Sequence, residues 1–303
     1  MGEEKQKKKP NNLLTLFVLM GGMFLFLFLF IFALTLLGSG GGDGLEYGDG
    51  KIGVVEIIGP ITQSKTAVDQ LRRFRRDEDI DGIVVRINSP GGAVAPSQEI
   101  FEAVKAAKKV KPLAVSMGST AASGGYYISV GSDKIFANPG TVTGSIGVIT
   151  QLFNVSRIIE KVELDVHTIT TGKSKDMGNM FRPYNENDDL AIRGLIGDIY
   201  EQFVEDVAKG RGLEIERVKE LADGGVFTGR QALKNKLVDE LGTFDDTVDW
   251  VAKEAKLEGV PKIIYPEKPM KGLSAILRGG VQTIVSEVKN TSTPMIEYRF
   301  VGQ

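Results

Sequence analysis

Ser123 stands in the run STAASGGYYI, residues 119–128, with only alanine and glycine within two positions on either side. A hydroxyl so free of local bulk can be approached by another chain, and it becomes a nucleophile if a base takes its proton. The same run also suits a close-packed helix start. Two Gly-rich turns accompany it, NSPGG at 88–92 and TGSIG at 143–147. Each admits two readings. One is a tight turn, in which Pro90 fixes φ and the glycines relieve strain. The other brings the N–H groups of Gly91 and Gly92 against a ligand oxygen, as an oxyanion hole or phosphate cradle would. The chain has no cysteine and one histidine, His167. Thiol catalysis, disulfides and Cys/His zinc sites are therefore excluded by inventory, and one histidine cannot build a His-rich metal centre. A Ser-His-Asp triad could use only His167, which sits in the alternating LDVHTITTG. That pattern predicts a strand with His167 as an ordinary member.

The elements that must hold these residues follow from periodicity. The 303 residues are 42% hydrophobic and 25% charged, which suits a globular chain able to bury a core. From Leu13 to Leu37 no residue is charged, and this run exceeds the roughly 20 residues that cross a bilayer. It reads as a transmembrane anchor at 13–37. A cleaved signal peptide would have an apolar core of about 7–15 residues and a small-residue cleavage site. The N-terminal segment 1–12 carries four lysines against two glutamates, a charge of +2 that leaves −4 for the rest of the chain. The positive-inside rule then places the N-terminus in the cytoplasm and the remainder outside, in a single-pass protein of the cell membrane. A Gly-rich tether at 38–50 leads to a folded domain at 51–265, and a tail at 266–303 reads as partly helical or disordered. Within the domain, IGVVEIIG, DGIVVRI and PLAVSMG have strand length, and the segments between them have helical spacing. This alternation predicts a mostly parallel sheet covered by helices. Long helices are expected over NDDLAIRGLIGDIYEQFVEDVAKGRG and DDTVDWVAKEAK. The net charge of −2 and the lack of a long basic tract speak against nucleic acid as a partner.

Taken together, INSPGG, GSTAASGGYYIS and NPGTVTGSIGV, in this order and at these separations, closely resemble signal peptide peptidase A. TGKSKDMGNMFRP and GRGLEIERVKELADGGVFTGRQALKNKLVDELGTFDD add to the match, which covers roughly residues 50–250. That family comprises membrane-anchored serine peptidases of the Clp protease/crotonase type of fold, with repeated ββα units. The chain resembles its short, single-repeat form.

The resemblance implies that Ser123 is the nucleophile and that the N–H of Gly124, with that of Gly91 or Gly92, holds the oxyanion. The family's base is a lysine. Lys173 and Lys175 are chemically alike, and alignment with the motif Gly-x-x-Lys-Asp selects Lys175. A lysine acts as a base only when neutral; lowering an ordinary value of about 10.4 by roughly 3 units costs about 4 kcal/mol, within what burial supplies. Ser145 resembles the family's third hydroxyl, which orients the lysine amine. No metal or organic cofactor is implied. The substrate would be a peptide bound as an added strand, with remnant signal peptides as its source. In double-length relatives the serine and lysine come from different repeats. A single-repeat chain is therefore expected to form a homo-oligomeric ring, an octamer by resemblance, with Lys175 supplied by a neighbour. Alternatives are a quality-control protease acting on membrane or misfolded proteins, a crotonase-type acyl-CoA enzyme, and a non-catalytic membrane scaffold.

Overall fold

The computed structural model describes residues 12–38, 47–266 and 296–299. The chain divides into two compact units at the boundary between Glu46 and Tyr47. In the first, helix α1 spans Asn12–Gly38 with no acidic residue in its first turn and no basic residue in its last. Side chains are described there for residues 20–33 only, and all are exposed. Over the described residues no helix is long and apolar enough to cross a membrane. The basic segment before it, residues 1–11, lies outside the described residues.

The second unit is built on a parallel sheet. Strand β1 (Tyr47–Ile58) leads through α2 (Lys65–Arg76) to β2 (Gly82–Ser89), the short β3 (Gly91–Ala93) and α3 (Val94–Lys108). Then come β4 (Leu113–Ala122), the one-and-a-half-turn α4 (Gly124–Ser129), β5 (Lys134–Ala137), β6 (Val142–Gly144), β7 (Ile149–Thr150) and α5 (Ser156–Lys161). The long α6 (Glu186–Arg211) is followed by α7 (Ile215–Leu221), β8 (Val226–Thr228), α8 (Gly229–Lys234), β9 (Glu240–Leu241), α9 (Phe244–Glu254), β10 (Val260–Ile264) and β11 (Ile296–Arg299). Six strands run parallel in the order β10-β1-β2-β4-β5-β9. Strand β6 joins the upper end of β4 and pairs antiparallel with β8.

Two-residue alternation sorts the sheet's side chains to its two faces. Val55, Ile57, Val85, Ile87, Val115 and Met117 pack in the larger core, with Leu71 and Phe74 of α2 and Ile100 and Val104 of α3. Ile52, Val54, Val84 and Ala114 form a smaller core with Val248 and Val251 of α9. Burial on both faces explains why these strands read as continuous apolar runs. A second sheet, β3-β11-β7, is antiparallel and lies at the end where the parallel strands finish.

Three expectations are corrected. Strand β1 begins at Tyr47, inside the stretch 38–50 assigned to the tether, because its first residues pair with β10. LDVHTITTG forms no strand, since nothing pairs with it among the described residues, and His167 is exposed. The tail contributes strand β11 at 296–299, where helix or disorder was expected. The helical pattern expected at about 270–288 lies outside the described residues.

Candidate active site

Strand β4 ends at Ala122 and α4 begins at Gly124, so Ser123 alone makes the turn between them. Its φ of 52° and ψ of −114° are held from both sides. Its N–H donates to the Gly144 carbonyl at 2.7 Å, and its carbonyl accepts from the Tyr127 N–H at 2.8 Å. Pairing of Thr120–Ala122 with β6 aligns the first of these bonds. A non-glycine residue at such angles stores on the order of 1–3 kcal/mol of strain. Ser123 is 1% exposed, and its Oγ is buried without a hydrogen-bond partner among the described residues. A strained, buried hydroxyl at a strand-to-helix turn, with its hydrogen-bonding capacity unspent, has the features of a nucleophile elbow.

Three glycine backbones converge beside it. A Cβ on Gly124 would lie 2.6 Å from Ser97 Oγ and 3.3 Å from both the Gly91 Cα and the Gly92 N. One on Gly91, whose φ is +98°, would lie 2.7 Å from the Gly124 N. Any side chain at these positions would fill the space. The Gly91 N–H donates to Ser89 Oγ at 3.1 Å, and Gly92 is paired with Tyr298 in the second sheet. Ser145 directly follows Gly144, whose carbonyl holds Ser123. It is buried, has a positive φ of 50°, and donates its N–H to the Gly225 carbonyl at 2.8 Å.

The candidate bases are elsewhere. Lys175 is exposed in a turn closed by its own N–H donating to the Gly172 carbonyl at 3.2 Å, and Lys173 is exposed two residues before it. Among the described residues neither ammonium, nor His167, hydrogen-bonds to Ser123 Oγ. The residues following β7 leave Phe153, Ile158, Val162, Leu164, Ile169 and Phe181 exposed.

Sequence reasoning missed an aromatic pocket beside the serine. Strand β11 runs between β3 and β7, with Tyr298 opposite Gly92 and Arg299 opposite Gly91. The Tyr298 carbonyl lies 2.1 Å from where a Gly91 Cβ would stand, so only glycine lets the strand approach. The Tyr298 ring is fully buried, 5.2 Å from that of Tyr127 and 4.7 Å from that of Phe203, and its hydroxyl donates to the Ile199 carbonyl at 3.2 Å. Phe101 closes the group 4.7 Å from Tyr127. The Tyr127 hydroxyl donates to Asp206, and burial, then that acceptor, pushes its pKa far above the ordinary value. The alternation in MIEYRF was the available signal for this strand.

Residues 105–258, half of the chain, match the family model Peptidase family S49, and residues 51–146 match Clp protease. A putative protease of Synechocystis is 42% identical over 209 residues, covering 69% of this chain and 76% of the relative. A putative signal peptide peptidase SppA of Enterococcus faecium is 42% identical over 197 residues, 65% of this chain and 57% of its own length. The chloroplastic serine protease SPPA of Arabidopsis thaliana is 28% identical over 235 residues, 75% of this chain and 35% of its own length. With a parallel sheet of the Clp protease type carrying Ser123 at the end of β4, the chain belongs to peptidase family S49 and is a serine peptidase.

Proposed function

We propose that this peptidase is a membrane-anchored endopeptidase that cleaves remnant signal peptides with a Ser123/Lys175 dyad shared between subunits of a ring. The unpartnered Ser123 Oγ is the observation that carries the reading. A serine peptidase needs a base at that atom, and among the described residues of one chain none bonds to it, which supports a base supplied by a second copy. The exposed apolar side chains between Phe153 and Phe181 support this, because a neighbour that covered them would carry or receive the Lys175 turn. The expected octamer and the anchor at 13–37 belong to the same proposal. In α1 the described side chains are apolar or glycine and exposed all round, as suits a lipid-facing helix.

In the mechanism, Lys175 takes the Ser123 proton while Ser145 orients its amine. The serine oxygen bonds to the peptide carbonyl carbon, and the N–H groups of Gly92 and Gly124 hold the negative oxygen. The C–N bond then breaks as the lysine returns the proton to the leaving amine. Water attacks the acyl-enzyme by the same route and releases the acid. Extended peptides pair between β3 and β7, where the chain's own β11 lies, and the aromatic pocket receives the side chain in Tyr298's place.

Intact-mass measurement after exposure to a serine-acylating probe tests this, using assembled wild type, Ser123→Ala and Lys175→Ala. One adduct on wild type and none on either variant is expected. An adduct surviving both substitutions, or none on an assembled ring, would overturn the dyad.

A further inference from the structure

Lys175 sits in a stretch without regular structure. Between α5 and α6, residues 162–185 contain no helix or strand, yet a base must be placed to within a fraction of an ångström. One group in the stretch has the contacts to do this. The Arg182 guanidinium grips Asp176, the residue next to Lys175, through Nε to Oδ2 at 2.7 Å, Nη2 to Oδ1 at 3.2 Å and Nη2 to the Asp176 carbonyl at 3.1 Å. Its other edge binds Asp188 in the first turn of α6, Nη1 to Oδ2 at 2.6 Å and Nη2 to Oδ1 at 2.8 Å. Asp188 is buried and is itself fixed by a capping box with Asn185. The Asp176 carbonyl also accepts the Asn179 N–H at 2.9 Å, which closes the turn. From Asp188, α6 runs into the core through Phe203, Val204 and Val207.

We infer that Arg182 is a positioning residue for the lysine base: by holding Asp176 and Asp188 together it fixes the Lys175 turn to α6, and through α6 to the core. The inference rests on the reading of Lys175 as the base. The planar, forked guanidinium is what the geometry requires, because it meets two carboxylates along two edges at once. A lysine at 182 would supply a point charge and could hold only one of them in register. Arg193, exposed on the same helix, pairs with Asp189 at 2.7 Å and offers a control that leaves the Lys175 turn untouched.

The test is steady-state hydrolysis of a small chromogenic peptide by assembled full-length protein, together with ring size and thermal midpoint. Arg182→Gln and Arg182→Lys are expected to lower kcat by about 10- to 100-fold with KM unchanged, as a misplaced catalytic group does. Their pH–rate profiles should also differ from wild type, because the base is no longer held against Ser123. Arg193→Gln should match wild type in both. Asp176→Asn, which loosens only the half of the clamp beside Lys175, serves if the Arg182 variants fail to assemble, and is expected to show the same kcat loss and profile shift. Wild-type kcat and profile in assembled Arg182→Gln or Asp176→Asn, or a loss proportional to the fraction of rings that fail to form, would overturn the inference. Lys175→Ala in parallel separates the failures. Full activity there sinks the base assignment itself, whereas an inactive Lys175→Ala beside a normal Arg182→Gln sinks only the clamp.

Discussion

Ser123 combines two costs in one residue, left-handed φ and a buried, unpaired hydroxyl. Neither is compensated locally, so both should be recoverable by substitution. Ser123→Gly removes the Cβ that makes the angles strained and is expected to stabilise the assembled domain by on the order of 1 kcal/mol, or about 2–4 °C in midpoint for a domain this size. Ser123→Ala keeps the angle but loses the unpaired hydroxyl, and should fall between wild type and Ser123→Gly. Both should abolish peptide hydrolysis. Denaturation scans check this, and a variant less stable than wild type would mean that the hydroxyl holds the turn together. The sequence around this residue marked only a hydroxyl among small neighbours, which suits a close-packed helix start as well, and its reading as a nucleophile came from the family resemblance. Its partner base was not legible from the residues alone, since Lys173 and Lys175 differ in nothing but position. The motif alignment supplied the choice.

At the scale of elements, what escaped the sequence is what depends on distant pairing. Strand β11 is four residues long, and its partners β3 and β7 lie well over a hundred residues earlier. Its alternation is a local signal, but no local window shows which edge it joins. Conversely, LDVHTITTG alternates like a strand but finds no edge to join, so alternation without a partner gave no strand. The placement of β11 has a kinetic consequence. A segment tethered to the groove competes with added peptide at a high effective concentration. Removing residues after 294 is expected to lower the KM for a short peptide several-fold with kcat unchanged; an unchanged KM would mean that β11 leaves the groove freely. If the tail is also cut there, C-terminal sequencing should find a shorter end in wild type than in Ser123→Ala, and identical ends would sink self-cleavage. The Arg182 clamp makes a separate, pH-dependent prediction. Hydrogen bonding to Arg182, partly opposed by desolvation, holds Asp176 and Asp188 below the usual carboxylate value. Their stabilisation is therefore full above about pH 4 and is lost as pH falls through their lowered native values. The midpoint difference between wild type and Arg182→Gln should be constant at neutral pH and close in acid. A difference that persists unchanged at low pH would show that the clamp is not electrostatic.

At the scale of the whole molecule the two residues of the proposed dyad stand apart: among the described residues Ser123 Oγ is buried without a partner, and Lys175 is exposed. A head-to-tail ring resolves both, since in a heterologous interface each copy gives one surface and receives another. This arrangement makes a numerical prediction. Suppose Ser123→Ala and Lys175→Ala subunits are unfolded together in equal amounts and reassembled at random. A working site then needs a subunit with its serine beside one with its lysine, and about one site in four has that order. Activity should therefore return to about a quarter of wild type from two inactive parents. Varying the mixing ratio should trace the product of the two fractions, with its maximum at equal amounts. If both residues of a site came from the same chain, every chain in the mixture would carry one lesion and no ratio would restore activity. Mixed rings verified by mass that remain inactive at all ratios would thus return the lysine to its own chain. They would also require a movement of the 162–185 stretch large enough to bring it to Ser123.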